Sequence, residues 1–109
     1  MTQSQTGSDV ALGPIGNRII FENDHVRVWD LVVEAGRDKG MHRHDLPYVI
    51  VPMTAGDIEI IAVDGRSYKP KDVVGEAIWR EAGEVHNLYN RGNDTYRNVL
   101  IEIKTAAKS

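Results

Sequence analysis

The chain has 109 residues, of which 41% are hydrophobic and 27% charged, a composition typical of one soluble globular domain. Its net charge of -3 gives no reason to expect nucleic acid or an anionic membrane surface as a partner. The absence of cysteine excludes disulfides, a thiol nucleophile and thiolate metal ligands. No apolar run approaches the roughly 20 residues that a transmembrane helix needs.

Residues 1–14 are polar, small and interrupted by glycine and proline. We therefore expect a flexible N-terminal tail over residues 1–14, followed by one domain over residues 15–109. The N-terminus lacks a charged segment followed by an apolar one, so no signal peptide is expected and the cytoplasm is the expected location.

Short β-type runs separated by turn signals recur along the rest of the chain. They cover residues 18–21, 25–34, 47–53, 58–63, 66–69, 77–80, 85–90 and 95–104. The dipeptide Asp64-Gly65, between the fourth and fifth runs, is a strong hairpin signal. Eight short strands at this spacing predict an all-β sandwich or barrel.

A helix is the competing interpretation of the segment GEAIWREAGEVHNLYN, residues 75–90, because alanine and glutamate favour helices. Gly83 in the middle of the segment and its turn-like flanks argue against a helix. We therefore expect two short strands here, on either side of a turn at residues 81–84.

Two of the four histidines, His42 and His44, stand two residues apart. On a strand they point to the same side, with Cα atoms roughly 6.6 Å apart, so that both imidazoles can reach one metal ion. The pair alone is a weak signal, because two exposed turn histidines have the same spacing. A metal site needs a third ligand from elsewhere in the chain.

The residues around this pair resemble the two motifs of small cupins, G-x5-H-x-H-x3,4-E-x6-G and G-x5-P-x-G-x2-H-x3-N. The matching positions are Gly36, His42, His44 and Gly56 in the first motif and Gly75, Gly83, His86 and Asn90 in the second. The matching region, residues 36–90, covers about half of the chain. The segment FENDHVRVWDLVVEAG is also similar to the strand that leads into the first motif in small bacterial cupins, some of them assigned to β-alanine breakdown.

This resemblance implies a single-domain, antiparallel, jelly-roll-like β-barrel in which His42, His44 and His86 converge on a divalent metal ion. The family's usual glutamate ligand is absent, since Tyr48 and Val49 occupy its two alternative positions. The expected ion is Fe2+, with Zn2+, Ni2+ and Mn2+ as alternatives.

The loss of the glutamate bears on the reaction. A divalent ion bound by three neutral imidazoles keeps its full charge and has open positions for an anionic substrate and for dioxygen. Similarity to cupins that lack the glutamate implies dioxygenase-type oxidation of a small molecule in catabolism. Two alternatives stay open: a metal-dependent isomerase, lyase or hydrolase that uses bound water, and a non-catalytic small-molecule-binding cupin.

Two further residues are candidates for a catalytic role. A neutral phenol is a poor ligand, so Tyr48 is expected to hydrogen-bond behind the ligands or to contact substrate if it faces inward, and otherwise to pack or face outward. Glu81 replaces the proline of the second motif and could act as a ligand or general base, although charged turn residues are mostly solvated. Either Arg80 or Arg97 could bind a substrate carboxylate, and nothing in the sequence decides which one faces inward.

The expected partners are a small-molecule substrate and a second copy of the chain. Small cupins commonly pair, and the first strand would otherwise leave an exposed sheet edge.

Overall fold

The computed structural model describes residues 11–104, and these residues form nine β-strands and no helix. The strands are β1 (Arg18–Glu22), β2 (Val26–Val33), β3 (His42–Arg43), β4 (Tyr48–Pro52), β5 (Ile58–Ala62), β6 (Ser67–Tyr68), β7 (Ile78–Arg80), β8 (Val85–Asn90) and β9 (Tyr96–Ile103). The described part of the chain thus contains no helix that is long and apolar enough to span a membrane. The strand interpretation of residues 75–90 is confirmed, because β7 and β8 lie on either side of the predicted turn.

The strands form two antiparallel sheets, with the orders β1-β2-β9-β4-β7 and β3-β8-β5-β6. After β2 the chain passes repeatedly from one sheet to the other, so that β9 lies between β2 and β4 and β8 lies between β3 and β5. The predicted all-β, jelly-roll-like fold is confirmed. Within residues 11–104 the two sheets remain separate hydrogen-bonded ladders and do not form one closed barrel.

The core lies between the two sheets and follows from the alternation of each strand. In β9 every second residue is buried, and these residues are Tyr96, Asn98, Leu100 and Glu102. The main apolar cluster draws on both sheets and contains Leu31, Val33, Ile58, Ile60, Leu88 and Tyr96. Full burial of such side chains stabilises a fold by about 1.5–3 kcal/mol each. Some polar side chains, such as that of Asn98, are also buried in this interior.

The short strand β3 is absent from the sequence-based prediction, which places no strand between residues 34 and 47. Two residues are too few to show an alternating pattern, and β3 exists only because it pairs with β8. The predicted hairpin at Asp64-Gly65 is confirmed, since β5 pairs with β6 and Gly65 has a φ of 95°, a conformation that favours glycine.

The predictions for the N-terminus and the partner chain stay predictions. Residues 1–10 of the expected tail lie outside the described residues, as do residues 105–109 at the other end. Residues 11–14 are exposed and lack regular structure, although the Gly13 N–H donates to the Met41 carbonyl at 2.8 Å. All five residues of β1 are exposed at the sheet edge, with Phe21 54% exposed, and the homodimer that would cover this edge stays a prediction.

The side chain of Asn90 is predicted to stabilise the fold by about 2 kcal/mol, because it satisfies three buried or half-buried backbone groups. Asn90 is 1% exposed; its amide donates to the carbonyls of Val33 at 3.0 Å and Asp94 at 2.8 Å, and its carbonyl accepts from Gly92 N–H at 3.0 Å. Asn90→Ala should lower the free energy of unfolding in urea by that amount. The exposed Asn93→Ala should change it by less than about 0.5 kcal/mol, and equal effects of the two substitutions would contradict this role.

Candidate metal centre

Pairing of β3 with β8 brings the three histidines together. His42 lies directly opposite His86 in the antiparallel register. Just beyond β3, His44 N–H donates to the Glu84 carbonyl at 3.1 Å, and Gly83 N–H donates to the His44 carbonyl at 2.7 Å. Gly83 has a φ of 117°, which other residues rarely adopt, so glycine at this position lets the chain turn into β8 while keeping both contacts.

The three imidazoles are buried and close enough to bind a single ion. His42, His44 and His86 are between 1% and 5% exposed, and one ring nitrogen from each lies within 4.8 Å of the others. The Nε2 atoms of His44 and His86 are 3.0 Å apart. Two nitrogens that each lie about 2.0–2.1 Å from one ion fall at a separation of this size. The three histidines could therefore hold a metal ion, and that they do so stays a prediction.

Hydrogen bonds determine which ring nitrogen is free in two of the histidines. His42 Nδ1 lies 2.8 Å from the Gly40 carbonyl oxygen, which can only accept, so Nδ1 carries the proton. His86 Nδ1 lies 2.6 Å from a carboxylate oxygen of Glu84 and donates to it in the same way. In both rings the lone pair therefore lies on Nε2, the atom that would bind a metal ion, an arrangement that protein metal sites commonly use. In this structure His86 Nε2 can accept a hydrogen bond from His44 Nε2 at 3.0 Å.

Glu84 is held in place from two sides. Its carboxylate also accepts a hydrogen bond from the Tyr68 hydroxyl. Burial raises the pKa of Glu84, but the hydrogen bonds from Tyr68 and His86 outweigh this effect and keep the pKa below its usual value. Glu84 therefore stays ionised and orients His86 from behind.

His44 is oriented by stacking. Its ring lies on the Tyr48 ring with centroids 4.0 Å apart and an interplanar angle of 14°. Its Nδ1 atom is buried and has no hydrogen-bond partner among the described residues. Tyr48, at the position of the family's glutamate, is 2% exposed and faces inward, so of the two orientations considered from the sequence the inward one is observed.

The surroundings keep all three imidazoles neutral. Burial lowers the pKa of His42 from 6.5 to about 4, against the opposing hydrogen bond to Gly40. Burial, together with the charges of the other two histidines and Arg80, lowers the pKa of His44 to about 2. Burial also lowers the pKa of His86, although Glu84 opposes the shift. Neutral imidazole is the form that binds a metal ion, so no imidazolium ring has to be deprotonated before a metal ion can bind.

A cavity begins at the histidines and runs between the sheets. Its polar lining residues include Tyr48, Tyr68, Asp72, Arg80 and Asn98. The Arg80 guanidinium carbon lies 5.3 Å from the centre of the Tyr68 ring. A positive side chain next to a candidate metal site favours an anionic ligand in the cavity.

The other candidate residues fall outside this cavity. Arg97 is exposed and forms an ion pair with Asp30 at 2.8 Å, so Arg80 is the arginine that faces inward. Glu81 is exposed and accepts a hydrogen bond from Trp79 Nε1 at 2.6 Å, and the predicted role of Glu81 in catalysis stays a prediction.

Glu84 is not among the site residues predicted from the sequence, where it falls within the expected turn at residues 81–84. Glu84 and His86 stand two residues apart at the start of β8, and residues at this spacing share one face of a strand. The spacing alone could therefore have indicated that the Glu84 carboxylate lies next to His86.

Comparison with known proteins identifies the family. A scan against models of protein families finds no match. The chain is 35% identical over 83 residues to the β-alanine degradation protein BauB of Pseudomonas aeruginosa. The match covers 76% of this chain and 86% of that protein. It is 32% identical to a cupin domain from Bordetella pertussis, covering 80% of this chain and 90% of that one with a TM-score of 0.74. The chain belongs to the cupin superfamily.

More distant cupins share the fold alone. A cupin with a double-stranded β-helix fold from Methanocaldococcus jannaschii is 12% identical, covers 89% of this chain and 100% of that one, and has a TM-score of 0.63. The DMSP lyase DddQ of Ruegeria pomeroyi is 14% identical, and the match covers 74% of this cupin but 39% of DddQ, with a TM-score of 0.56. These likenesses support the architecture of this cupin and carry no argument about its reaction.

Glu84→Gln is predicted to weaken metal binding by about 10- to 100-fold, because a neutral amide orients His86 less firmly than a carboxylate does. The affinity is measured by competition with a chromophoric chelator. Glu81→Gln is the matched control and should bind metal as the wild type does. A larger loss for Glu81→Gln than for Glu84→Gln would make Glu81 the carboxylate that supports the site.

The metal-free protein is predicted to lose stability as the pH falls below about 6.5. Between pH 7 and pH 5 the unfolded chain takes up a proton on His42 but the folded chain, with a pKa of about 4, does not. The free energy of unfolding should therefore fall by about 2 kcal/mol for this residue alone. Urea unfolding at both pH values should show a smaller fall for His42→Gln and an unchanged fall for the exposed His25→Gln. Equal pH dependence in all three proteins would contradict the burial of a neutral His42.

Proposed function

We propose that this cupin is a metal-dependent enzyme that oxidises a small carboxylate-bearing molecule in catabolism by dioxygenase-type chemistry. The observation that carries the proposal is the set of three neutral histidines next to the inward-facing Arg80. The preferred ion is Fe2+, and Zn2+, Ni2+ or Mn2+ are the alternatives.

The charge of the site supports an anionic substrate. No carboxylate belongs to the histidine cluster within residues 11–104, since Glu84 lies behind His86. A divalent ion bound there would supply its full positive charge and open coordination positions for substrate oxygen atoms and dioxygen. Arg80 adds a second positive charge in the cavity wall. Together they favour a ligand that carries a carboxylate.

The chain's own residues have separate roles in this proposal. Arg80 binds and orients the carboxylate through its planar guanidinium group. Glu84 keeps a proton on His86 Nδ1 and so keeps the lone pair on Nε2. Tyr48 holds the ring of His44, and its hydroxyl is the candidate group for substrate contact or proton transfer. Apolar residues of both sheets, such as Ile50 and Leu88, line the cavity and exclude water from the reacting groups.

The relative BauB supports a place in catabolism. It is named as a β-alanine degradation protein, and the match covers most of both chains. This relative supports the proposal that the present cupin acts in the breakdown of small molecules that carry a carboxylate.

Anaerobic loading with Fe2+, metal analysis and an oxygen electrode test the proposal. We expect close to one metal ion per chain and oxygen consumption with at least one substrate from a panel of small carboxylates, thiols and 1,3-diketones. His86→Ala should lose the metal, and a metal-replete His86→Ala would contradict the site. Metal binding without oxygen consumption on this panel would favour an isomerase, lyase or hydrolase with bound water, or a protein that binds a small molecule without converting it.

Substitutions at Tyr48 separate its ring from its hydroxyl. Tyr48→Phe keeps the stacked ring and should bind metal as the wild type does, but with a lower kcat if the hydroxyl moves a proton. Tyr48→Leu removes the stack and should weaken metal binding several-fold, because an aromatic pair contributes about 0.5–1.5 kcal/mol. Chelator competition and steady-state kinetics measure the two effects. Loss of metal from Tyr48→Phe would instead make the phenol oxygen a ligand.

A further inference from the structure

The cavity wall contains two half-buried charged side chains of opposite sign, Arg80 and Asp72. Within residues 11–104 neither of them forms an ion pair with another side chain. Partly buried charges without a counter-charge are costly, and they are common where a ligand supplies the missing partner. The cavity is therefore prepared for one anionic and one cationic group.

Arg80 marks the end of the cavity near the histidines. It lies opposite Tyr48 in the pairing of β7 with β4, and Tyr48 stacks on His44. This end of the cavity is positive.

Asp72 belongs to a chain of hydrogen bonds at another part of the cavity. The Tyr96 hydroxyl lies 2.7 Å from an Asp72 carboxylate oxygen and 2.9 Å from Asn98 Nδ2. An ionised carboxylate can only accept, so the hydroxyl donates to Asp72 and accepts from the Asn98 amide. This order fixes the orientation of the Asn98 side chain, with its carbonyl oxygen on the side away from Tyr96.

The Asn98 carbonyl oxygen is left without a donor. Asn98 is 1% exposed and lines the cavity, and its Oδ1 atom has no hydrogen-bond partner among the described residues. A buried acceptor without a donor costs about 1–3 kcal/mol. This part of the wall thus offers two acceptors, the Asn98 carbonyl and the Asp72 carboxylate, and suits a group that is positively charged and rich in donors.

Apolar side chains separate the two polar ends. Along β4, Tyr48 pairs with Glu102 and Pro52 pairs with Asn98, so the Cα atoms of these two β4 residues lie about 13 Å apart. Ile50 and Leu100 form the pair between them, and both line the cavity. A ligand that contacts both ends needs several bonds between its charged groups, and methylene groups suit the apolar middle.

We propose that the substrate is an ω-amino carboxylate, with its carboxylate at Arg80 and the candidate metal centre and its ammonium group at Asp72 and Asn98. This assignment rests on the proposed function for the metal centre and adds the second half of the substrate. An α-amino acid has both charged groups on one carbon and reaches only one end of the cavity.

Calorimetric titration with matched ligands tests the assignment without relying on turnover. The probes are β-alanine, 4-aminobutanoate and 5-aminopentanoate, each paired with the carboxylate that lacks the amine, together with L-alanine and butylamine. We expect the best ω-amino carboxylate to bind at least about 10-fold more tightly than its amine-free partner, L-alanine or butylamine, because a charge-assisted hydrogen bond has this size of effect. Equal binding of amine and amine-free ligands, or binding of none, would overturn the assignment.

Substitutions test which side chain binds each end of the ligand. Asp72→Asn should reduce binding of the ω-amino carboxylate to the level of its amine-free partner and leave the latter unchanged. Arg80→Gln should weaken both ligands by a similar factor. Asp24→Asn, an exposed carboxylate in the turn before β2, should change neither. An undiminished amine preference in a folded Asp72→Asn would overturn the role of Asp72, and if that variant does not fold, the wild-type series decides.

Titrations of metal-free and Zn2+-loaded protein distinguish this inference from the proposed function. A protein that binds metal but shows no preference for the amine contradicts the inference and leaves the metal centre in place. A protein that binds no metal contradicts the proposed function. Its preference for the amine-bearing ligands still tests whether Asp72 and Asn98 bind the ammonium group.

Discussion

The position of His42 directly opposite His86 across β3 and β8 is the constraint on which the rest of the site depends. β3 has only two residues, so this register is maintained by the surrounding backbone contacts of His44 with Gly83 and Glu84. A shift by one residue would turn each histidine to the opposite face of its sheet. Because burial determines which face of each strand points inward, the three imidazoles lie together in the interior between the two sheets.

Burial then determines the chemistry of these imidazoles. Desolvation keeps them neutral, and the partners behind them, Gly40 and Glu84, put the lone pairs of His42 and His86 on Nε2. The carboxylate that many cupins place among the ligands is here replaced by the stacked ring of Tyr48. The negative charges near the site lie instead behind His86, at Glu84, and along the cavity, at Asp72. This arrangement supports the proposal that an anionic group binds next to the histidines and a cationic group binds at Asp72.

Most of the fold and the histidine set could be predicted from the sequence. The recurring short β-type runs indicated most of the strands, and motif spacing related His86 to His42 and His44. The choice between Arg80 and Arg97 depended on the pairing of β7 with β4, which no local pattern specifies. The stack of Tyr48 on His44 is a packing contact, and the hydrogen bond from the Tyr96 hydroxyl to Asp72 joins a loop to a distant strand. Such contacts follow from tertiary structure and leave no short-range signal.

A crystal structure of the Fe2+- or Zn2+-loaded protein, with diffraction data at the metal absorption edge, tests whether the three histidines bind one metal ion. We predict one anomalous peak per chain, about 2.0–2.2 Å from a ring nitrogen of each of His42, His44 and His86. We also predict that Glu84 remains bonded to His86 Nδ1 and does not become a ligand. A peak bound elsewhere on the chain, or none at the three histidines in metal-loaded crystals, would contradict this site.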